Sequence, residues 1–454
     1  MLGSDKMTAE EKYDLLTNGN VKKTISRLAI PTIISMLITS LYNLADSFFV
    51  SSLGFEAIGA VGVTFSMMAL IQACGFFFGH GSGNYISREL GNKNINDAKQ
   101  MAATGYYSSI IFGIVLSTFG IIFITPFAKI LGSNDEILPF AKIYLFYILL
   151  GAPFMCASLV MNNQLRFQGN AFYAMIGMGS GALLNILGDF LLVPLLKMHG
   201  AGLSTFISQI VSFILLRIGI HKSNNVKIHF KNFRLNLSLY KSIVNGGLPS
   251  LIRQGIGSVA TICLNQVCKK YGTDVVAAMS VVTRITNLPF SVILGFGQGF
   301  QPVCGFNYGA KKYNRVKEGF YFTIIVSFSI LIVLSIGCYY FSNFLVELFC
   351  KQNTNIENYD YFLKIGVQTL KIHCFTLPLV GIFSPANMLM QTIGKSFRAT
   401  LLALSRQGLF FIPLIFALSF NIRGIQFAQP LSDILTLIVS ILLSISVIKE
   451  MKTN

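Results

Sequence analysis

Three side chains in this sequence have the chemistry to bind a cation or a proton within an apolar setting. Asp46 is the one ionisable residue between Leu28 and Leu53, and Asn185 and Asp189 stand four residues apart in LLNILGDFLLVPLL. Residues at i and i+4 lie on one face of a helix. A carboxylate in the apolar core of a membrane costs about 2.5–3.5 kcal/mol on insertion scales, so it must face protein or trapped water. These groups could ligate a hard monovalent cation or take up and release protons.

Other residues could extend this site or face a substrate. Thr205 and Ser208 carry hydroxyls that could complete a cation shell, although such hydroxyls usually bond their own helix; Thr205 is our fourth coupling candidate. The residues assigned to a substrate cavity are Tyr42, Asn43, Met161, Asn162, Asn163, Gln164, Arg253 and Gln254. Helix capping or pairing with carbonyl groups is an equally open role for several of them. The roles of Arg284 and Arg406 stay open, with Asp433 as a candidate partner.

Such residues need a membrane-spanning scaffold to position them. The chain has 454 residues, 53% apolar and only 12% charged, with a mean hydropathy of +0.64. That charged fraction is about half the value for an average soluble domain. Apolar runs of the roughly 20 residues that cross a bilayer recur along the chain. We predict an all-α integral membrane protein, because β-barrel spans would be short alternating segments. The twelve predicted spans lie near residues 28–53, 58–83, 101–127, 138–161, 171–196, 201–220, 243–267, 275–303, 319–346, 361–390, 398–420 and 425–448.

The second half of the chain repeats the first. A shift of 218 residues places Pro31 on Pro249 and four glycines on glycines, and a shift of 225 places Asn162 on Asn387. Six spans per half give both halves the same orientation, with an axis along the membrane normal and a shared cavity near the midplane. The predicted parts are a cytoplasmic segment 1–27, an N-lobe 28–220, a cytoplasmic linker 221–241, a C-lobe 242–448 and a cytoplasmic tail 449–454.

The two halves differ at the acidic positions. Asp46 falls opposite Leu264, and Asp189 falls opposite Leu414. A purely structural requirement would be expected in both copies. The asymmetry therefore favours ion coupling by the first half over a scaffolding role.

The basic residues behind the net charge of +17 are unevenly divided among the loops. Lys and Arg concentrate in alternate loops, including the segment before the first span and the central linker, and such a bias marks the cytoplasmic side. Both termini of this multi-pass plasma-membrane protein are therefore predicted to be cytoplasmic. The basic loops would contact anionic lipids. We expect no nucleic-acid partner and no cofactor, and we expect a monomer.

Several motifs in both halves follow the order and spacing typical of one transporter family. They are AIPTIISMLITSLYNLADSFFVSSLG (29–54), GSGNYISRELGN (81–92), NILGDFLLV (185–193), GAGLSTFISQ (200–209), GLPSLIRQ (247–254) and MLMQTIGKSFRATLLALSRQGLFFIPL (388–414). The chain resembles MATE, the multidrug and toxic compound extrusion family, in its prokaryotic branch. The resemblance implies two six-helix bundles around a V-shaped cavity, and efflux of organic cations driven by antiport of Na⁺ or H⁺.

The resemblance also implies where the coupling ion binds. In one branch of the family the ion lies in the first bundle, on residues like Asp46, Asn185, Asp189 and Thr205. The first helix is thought to bend at a proline like Pro31. Another branch uses a glutamate in the seventh helix, where this chain has only small residues around Gly257. That departure argues against a site in the second bundle.

Other functions remain as alternatives. A lipid-linked precursor flippase has a similar helical plan but would need a cavity dominated by cations to hold pyrophosphate. An intramembrane enzyme would need a nucleophile with a base, or a metal set, and no HExxH or GxSxG motif occurs. A channel is disfavoured because no pore motif repeats. We therefore predict a secondary active multidrug efflux transporter that works by alternating access, and not an enzyme.

Overall fold

The regular structure of the described chain is helical. The computed structural model describes residues 7–51, 53, 55–224, 226–350 and 358–453, and for 43–48, 51, 55, 58, 349, 350, 452 and 453 the backbone alone. Over these residues it contains α-helices with three short 3₁₀ or π turns and no strand. Helices satisfy their backbone polar groups internally, as a chain in lipid must.

All twelve predicted spans coincide with helices. Those of the first half are α2 (Val21–Ser51), α3 (Phe55–Gly91), α4 (Ile95–Ile122), α6 (Leu138–Phe167), α7 (Ala171–Leu196) and α8 (Met198–Lys222). Those of the second half are α9 (Leu237–Lys269), α10 (Thr273–Gly309), α11 (Tyr313–Tyr340), the pair α13 (Tyr359–Thr376) and α14 (Val380–Thr392), the pair α15 (Ser396–Leu404) and α16 (Ile412–Ala417), and α17 (Ile422–Thr453). The short helices are α1 (Ala9–Thr17), α5 (Ile124–Ile130) and α12 (Ser342–Cys350).

Helix α9 is less apolar than the other spans. Eleven spans among the described residues are long and apolar enough to cross a membrane by composition, and α9 is not one of them. Arg253, Gln254 and Asn265 of α9 face a cavity, which explains its lower hydropathy.

Two helices run further than predicted. Helices α3 and α10 end at Gly91 and Gly309 instead of near residues 83 and 303. The polar stretch from Gly83 to Gly91, which follows the predicted end of the span, is helical. Each helix is followed by a lysine with left-handed backbone, Lys93 (φ 62°) and Lys311 (φ 58°). The apolar run in the sequence is therefore shorter than the helix, because each helix continues through polar residues before it ends.

Repeated local structure confirms the duplication. The Asn162 side-chain amide donates to the Ala174 carbonyl at 3.0 Å, and the equivalent amide of Asn387 donates to Ala399 at 2.6 Å. Helices α5 and α12 also begin 218 residues apart, at positions 124 and 342. Two lobes of equivalent construction result, while the exact lobe boundaries stay predictions.

The lobes meet where α2 begins and α3 ends, which we call the closed end. There α2 packs on α10 and α3 packs on α9, a crossed pairing that fits two-fold symmetry. Glycines allow the close approach, because a Cβ on Gly299 would lie 2.6 Å from the Ala29 Cα. A Cβ on Gly81 would lie 2.4 Å from the Ile243 carbonyl oxygen. Small residues at helix crossings let backbones touch in this way.

The N-terminal segment joins the two lobes at this end. The Lys12 ammonium donates to Asn170 Oδ1 of the N-lobe at 2.5 Å, and Asn307 Nδ2 of the C-lobe donates to the Leu16 carbonyl at 2.8 Å. Ile25, in the first turns of α2, is fully buried in the C-lobe core. The segment predicted as 1–27 therefore contains α1 and the start of α2, separated by a turn at residues 18–20, and it packs on both halves.

Candidate functional site

A polar cluster lies between α7 and α8 in the N-lobe. Asn185 and Asp189 of α7, with Ser204 and Thr205 of α8, are each at most 3% exposed. Gly188 permits this packing, because a Cβ there would lie 2.4 Å from Ser204 Oγ. The structure thus brings together three of the four predicted coupling residues. It adds Ser204, a neighbour of Thr205 in sequence that the sequence reasoning missed.

The Asn185 amide connects the members of this cluster. With its nitrogen towards Asp189, Nδ2 donates to Asp189 Oδ2 at 3.2 Å, and Oδ1 accepts from the Ser204 and Thr205 hydroxyls at 3.2 Å each. The Ser204 hydroxyl also lies 2.9 Å from the Asn185 carbonyl oxygen, and the Thr205 hydroxyl lies 3.1 Å from the Ala201 carbonyl oxygen. Asp189 is thus part of a buried hydrogen-bonded cluster in which both polar atoms of the Asn185 amide have partners.

Asp46, the remaining predicted coupling residue, lies outside the described side chains, and so does Asn43. Their helix, α2, packs against α7, which carries Asp189. The roles given to both residues stay predictions.

A cavity of about 1310 Å³ separates the lobes beyond the closed end. Its wall comes from both halves and includes four of the predicted cavity residues, Tyr42, Asn162, Arg253 and Gln254. Wall residues such as Ser258 of α9 are exposed, so the cavity is accessible from outside the molecule. Asn185 also contributes to the wall, so the polar cluster adjoins the cavity.

Three neighbouring residues of α6 do not line the cavity. Met161 is fully buried in the N-lobe core. Asn163 accepts a hydrogen bond from Arg166 Nη2 at 2.5 Å, and Gln164 donates to Ser82 Oγ at 3.1 Å. Their assignment to the cavity was wrong, because consecutive helical residues point about 100° apart and a run of four cannot all face one surface.

A charge pair lies in the C-lobe wall. Arg406 Nε donates to Asp433 Oδ1 at 2.8 Å, and the guanidinium carbon lies 5.5 Å from the ring centroids of Phe290 and Phe383. A π turn over Ser405–Phe411 carries the arginine. The expected pairing of Asp433 with one of the arginines is confirmed. Arg284, by contrast, is exposed and does not belong to the cavity wall.

Pro31 lies inside the uninterrupted helix α2, at the closed end. The adjacent Thr32 donates its hydroxyl to the Gly295 carbonyl of α10 at 2.6 Å. Bending of α2 at this point would therefore disturb a contact between the lobes. The hinge role of Pro31 stays a prediction.

Comparison with known proteins gives the family. The model of the family described as MatE matches residues 31–191 and 249–417, one segment in each half. This chain belongs to the MatE family.

Near full-length relatives of this MatE protein have been named and solved. The multidrug export protein MepA of Staphylococcus aureus (strain MRSA252) is 25% identical over 440 residues, which is 96% of each chain. The crystal structure of a MATE in complex with MaL6 superimposes with a TM-score of 0.92 at 26% identity, covering 98% of this chain and 100% of that one. The structure described as the outward-facing conformation of a multidrug resistance MATE family transporter of the MOP superfamily superimposes with a TM-score of 0.91 at 26% identity. The match covers 97% of this chain and 98% of that one.

The MatE match fixes the class of the protein. It is an all-α, multi-pass membrane transporter with two six-helix bundles, as predicted, and it is not an enzyme. Over the described residues, no three His, Cys, Asp or Glu side chains gather as metal ligands would. The oxygen atoms of the N-lobe cluster belong to carboxylate, amide and hydroxyl groups, which are hard ligands.

Proposed function

We propose that this MatE protein exports amphiphilic organic compounds, organic cations among them, in exchange for Na⁺ or H⁺. The observation that carries the proposal is the buried Asp189 cluster placed against the wall of an interlobe cavity. A full-length relative is named a multidrug export protein, which supports drug-like substrates. The large cavity, walled by Phe, Leu and Met together with polar groups, suits ligands of differing shape.

The basic loops set the direction of transport in this proposal. The closed end is where α2 begins and α3 ends, next to the lysine-rich and arginine-rich loops. If these loops face the cytoplasm, the cavity opens to the exterior. The described conformation would then be the one that releases substrate and takes up the coupling ion.

Coupling requires the ion to favour one conformation over the other. An ion shifts the equilibrium only by the difference in its affinity for the two states. The cluster around Asp189, to which the Asn185 amide donates at 3.2 Å, would supply that difference by binding the ion more tightly in one conformation than in the other. Rearrangement of α2 at Pro31, against α7 on one side and α10 on the other, would transmit the change to the closed end.

The flippase alternative receives less support. A pyrophosphate group would call for several unpaired cations in the cavity. Among the described wall residues the arginines are Arg253 and Arg406, and Arg406 is paired with Asp433. One arginine without an acidic partner is too few for that cargo.

The test is efflux of a fluorescent organic cation from proteoliposomes under separately imposed Na⁺ and pH gradients. Asp189→Asn and Asp46→Asn are expected to abolish gradient-driven efflux, since neither variant can carry the charge that binds the ion. Glu318→Gln, which changes an exposed carboxylate at the start of α11, is the matched control and should transport normally. Wild-type rates from both aspartate variants would refute the assignment.

A further inference from the structure

Two basic side chains converge at the inner end of the cavity, beside the closed end. His80 of α3 and Arg253 of α9 both belong to the wall. Helix α3 runs towards the closed end and α9 runs away from it, and helical side chains lean towards the N-terminus of their helix. His80 therefore leans up into the cavity while Arg253 leans down towards His80. The backbones of these helices touch nearby, where a Cβ on Gly247 would lie 2.2 Å from the Phe77 carbonyl oxygen.

Neither group has an acidic partner within the described protein. His80 is 3% exposed, its ring stacks on Phe76 with centroids 5.3 Å apart, and its Nδ1 has no hydrogen-bond partner. Arg253 makes no hydrogen bond or ion pair with another described residue, in contrast to Arg406, which is bonded to Asp433. Arg166, also 3% exposed, packs on the ring of Phe167, which the His80 ring also approaches, and its Nε and Nη1 are unbonded. The positive charges of Arg166 and Arg253 both act on the His80 ring.

An anion would complete this arrangement. Arg253 is partly buried in the cavity wall, where a guanidinium that meets a carboxylate or phosphate gains short, charge-assisted hydrogen bonds. No Asp or Glu stands among the described wall residues to supply that charge. The apolar side chains around the site, including Phe76, Met155 and Leu159, would hold a hydrophobic body next to it.

We propose that the inner end of the cavity is an anion subsite, in which Arg253 and His80 bind the acidic group of an amphiphilic ligand. The substrates would then include zwitterionic compounds that carry a carboxylate as well as organic cations. This inference rests on the proposed efflux function for its cargo. The same chemistry is offered by the head group of an anionic lipid, which the experiment must separate.

The experiment is equilibrium binding to the purified full-length protein, so it does not depend on ion coupling. Rhodamine B, a zwitterion with a free carboxylate, is compared with its ethyl ester, which has the same body and no carboxylate. Fluorescence polarisation is measured in nanodiscs of phosphatidylcholine. Arg253→Gln should weaken binding of rhodamine B about tenfold, equal to about 1.4 kcal/mol, and change binding of the ester by less than twofold. Arg253→Lys should retain most of the affinity.

Two controls make the result decisive. Arg284→Gln removes an exposed arginine outside the cavity wall and should change neither affinity. Binding of the ester shows that each variant is folded. Equal weakening of both dyes by Arg253→Gln, or no weakening of either, would overturn the anion subsite whether or not the protein transports.

Nanodiscs containing phosphatidylglycerol distinguish the two sources of the anion. Arg253-dependent binding of rhodamine B that survives the anionic lipid supports a substrate carboxylate at the subsite. Phosphatidylglycerol could instead compete with rhodamine B in proteins that keep Arg253 and leave the binding of Arg253→Gln unchanged. That result would support the same subsite with a lipid head group as its occupant.

Discussion

The hydroxyl of Thr205 is an oxygen of the N-lobe cluster that can be removed while the shape of the side chain is kept. It lies 3.2 Å from the Asn185 amide, and it is 1% exposed, so water has little access to replace it. The loss of one buried hydrogen-bonding group costs about 1–3 kcal/mol. A cation or a proton held by this cluster should respond to that change.

Thr205→Val is expected to raise the concentration of coupling ion needed for half-maximal efflux by roughly five- to tenfold. That change corresponds to a loss of about 1 kcal/mol or slightly more in the free energy of ion binding. The titration is done in proteoliposomes with whichever gradient drives transport. Thr205→Ser keeps the oxygen and should stay close to wild type. If valine and serine behave alike, the hydroxyl has no part in ion binding.

At the scale of elements, the crossing of α2 and α10 holds the closed end together. A Cβ on Gly299 would meet Ala29 Cα at 2.6 Å and one on Gly295 would meet Ile33 Cα at 2.5 Å. Backbone atoms cannot rotate away as a flexible side chain can. An added methyl group must therefore push the two helices apart.

Gly299→Ala is expected to shift the population towards conformations in which the closed end is separated. Spin labels on Lys23→Cys and Asn314→Cys, both exposed near this end in a background free of native cysteines, would report a longer or broader distance distribution. Gly337→Ala, at a helical glycine with open space around it, is the matched control. An unchanged distribution in Gly299→Ala would show that the crossing does not restrain the closed end.

At the scale of the whole molecule, the orientation in the membrane decides what the cavity faces. The closed end carries the linker, and the opposite end carries the turn between α16 and α17. The positive loops predict that the linker is cytoplasmic. Opposite orientation would make the described conformation open to the cytoplasm.

A membrane-impermeant maleimide should therefore label Arg423→Cys on intact cells and label Lys227→Cys only after permeabilisation. Both positions are exposed, and they lie at opposite ends of the molecule. The native cysteines are replaced in the parent protein to remove background. Labelling of Lys227→Cys on intact cells would reverse the proposed direction of the cavity.

The sequence was sufficient for the features that depend on composition and spacing. The lengths of the apolar runs predicted the twelve spans, and the i, i+4 spacing placed Asn185 and Asp189 on one helix face. It was not sufficient for the polar run at the end of α6, where four consecutive residues were assigned to the cavity and one, Asn162, lines it. Lipid-facing and core-facing side chains are both apolar, so the pattern along a membrane helix does not say which face meets which neighbour.

The sequence by itself determined that this chain is a duplicated helical membrane protein with acidic groups in one half, because bilayer thickness and charge burial act on each segment locally. The tertiary structure decided which residues come together. Ser204 joins the polar cluster because Gly188 lets α7 and α8 touch, and His80 and Arg253 share the cavity wall because α3 and α9 pack together at the closed end. Such encounters depend on packing between segments distant in sequence, which no local pattern records.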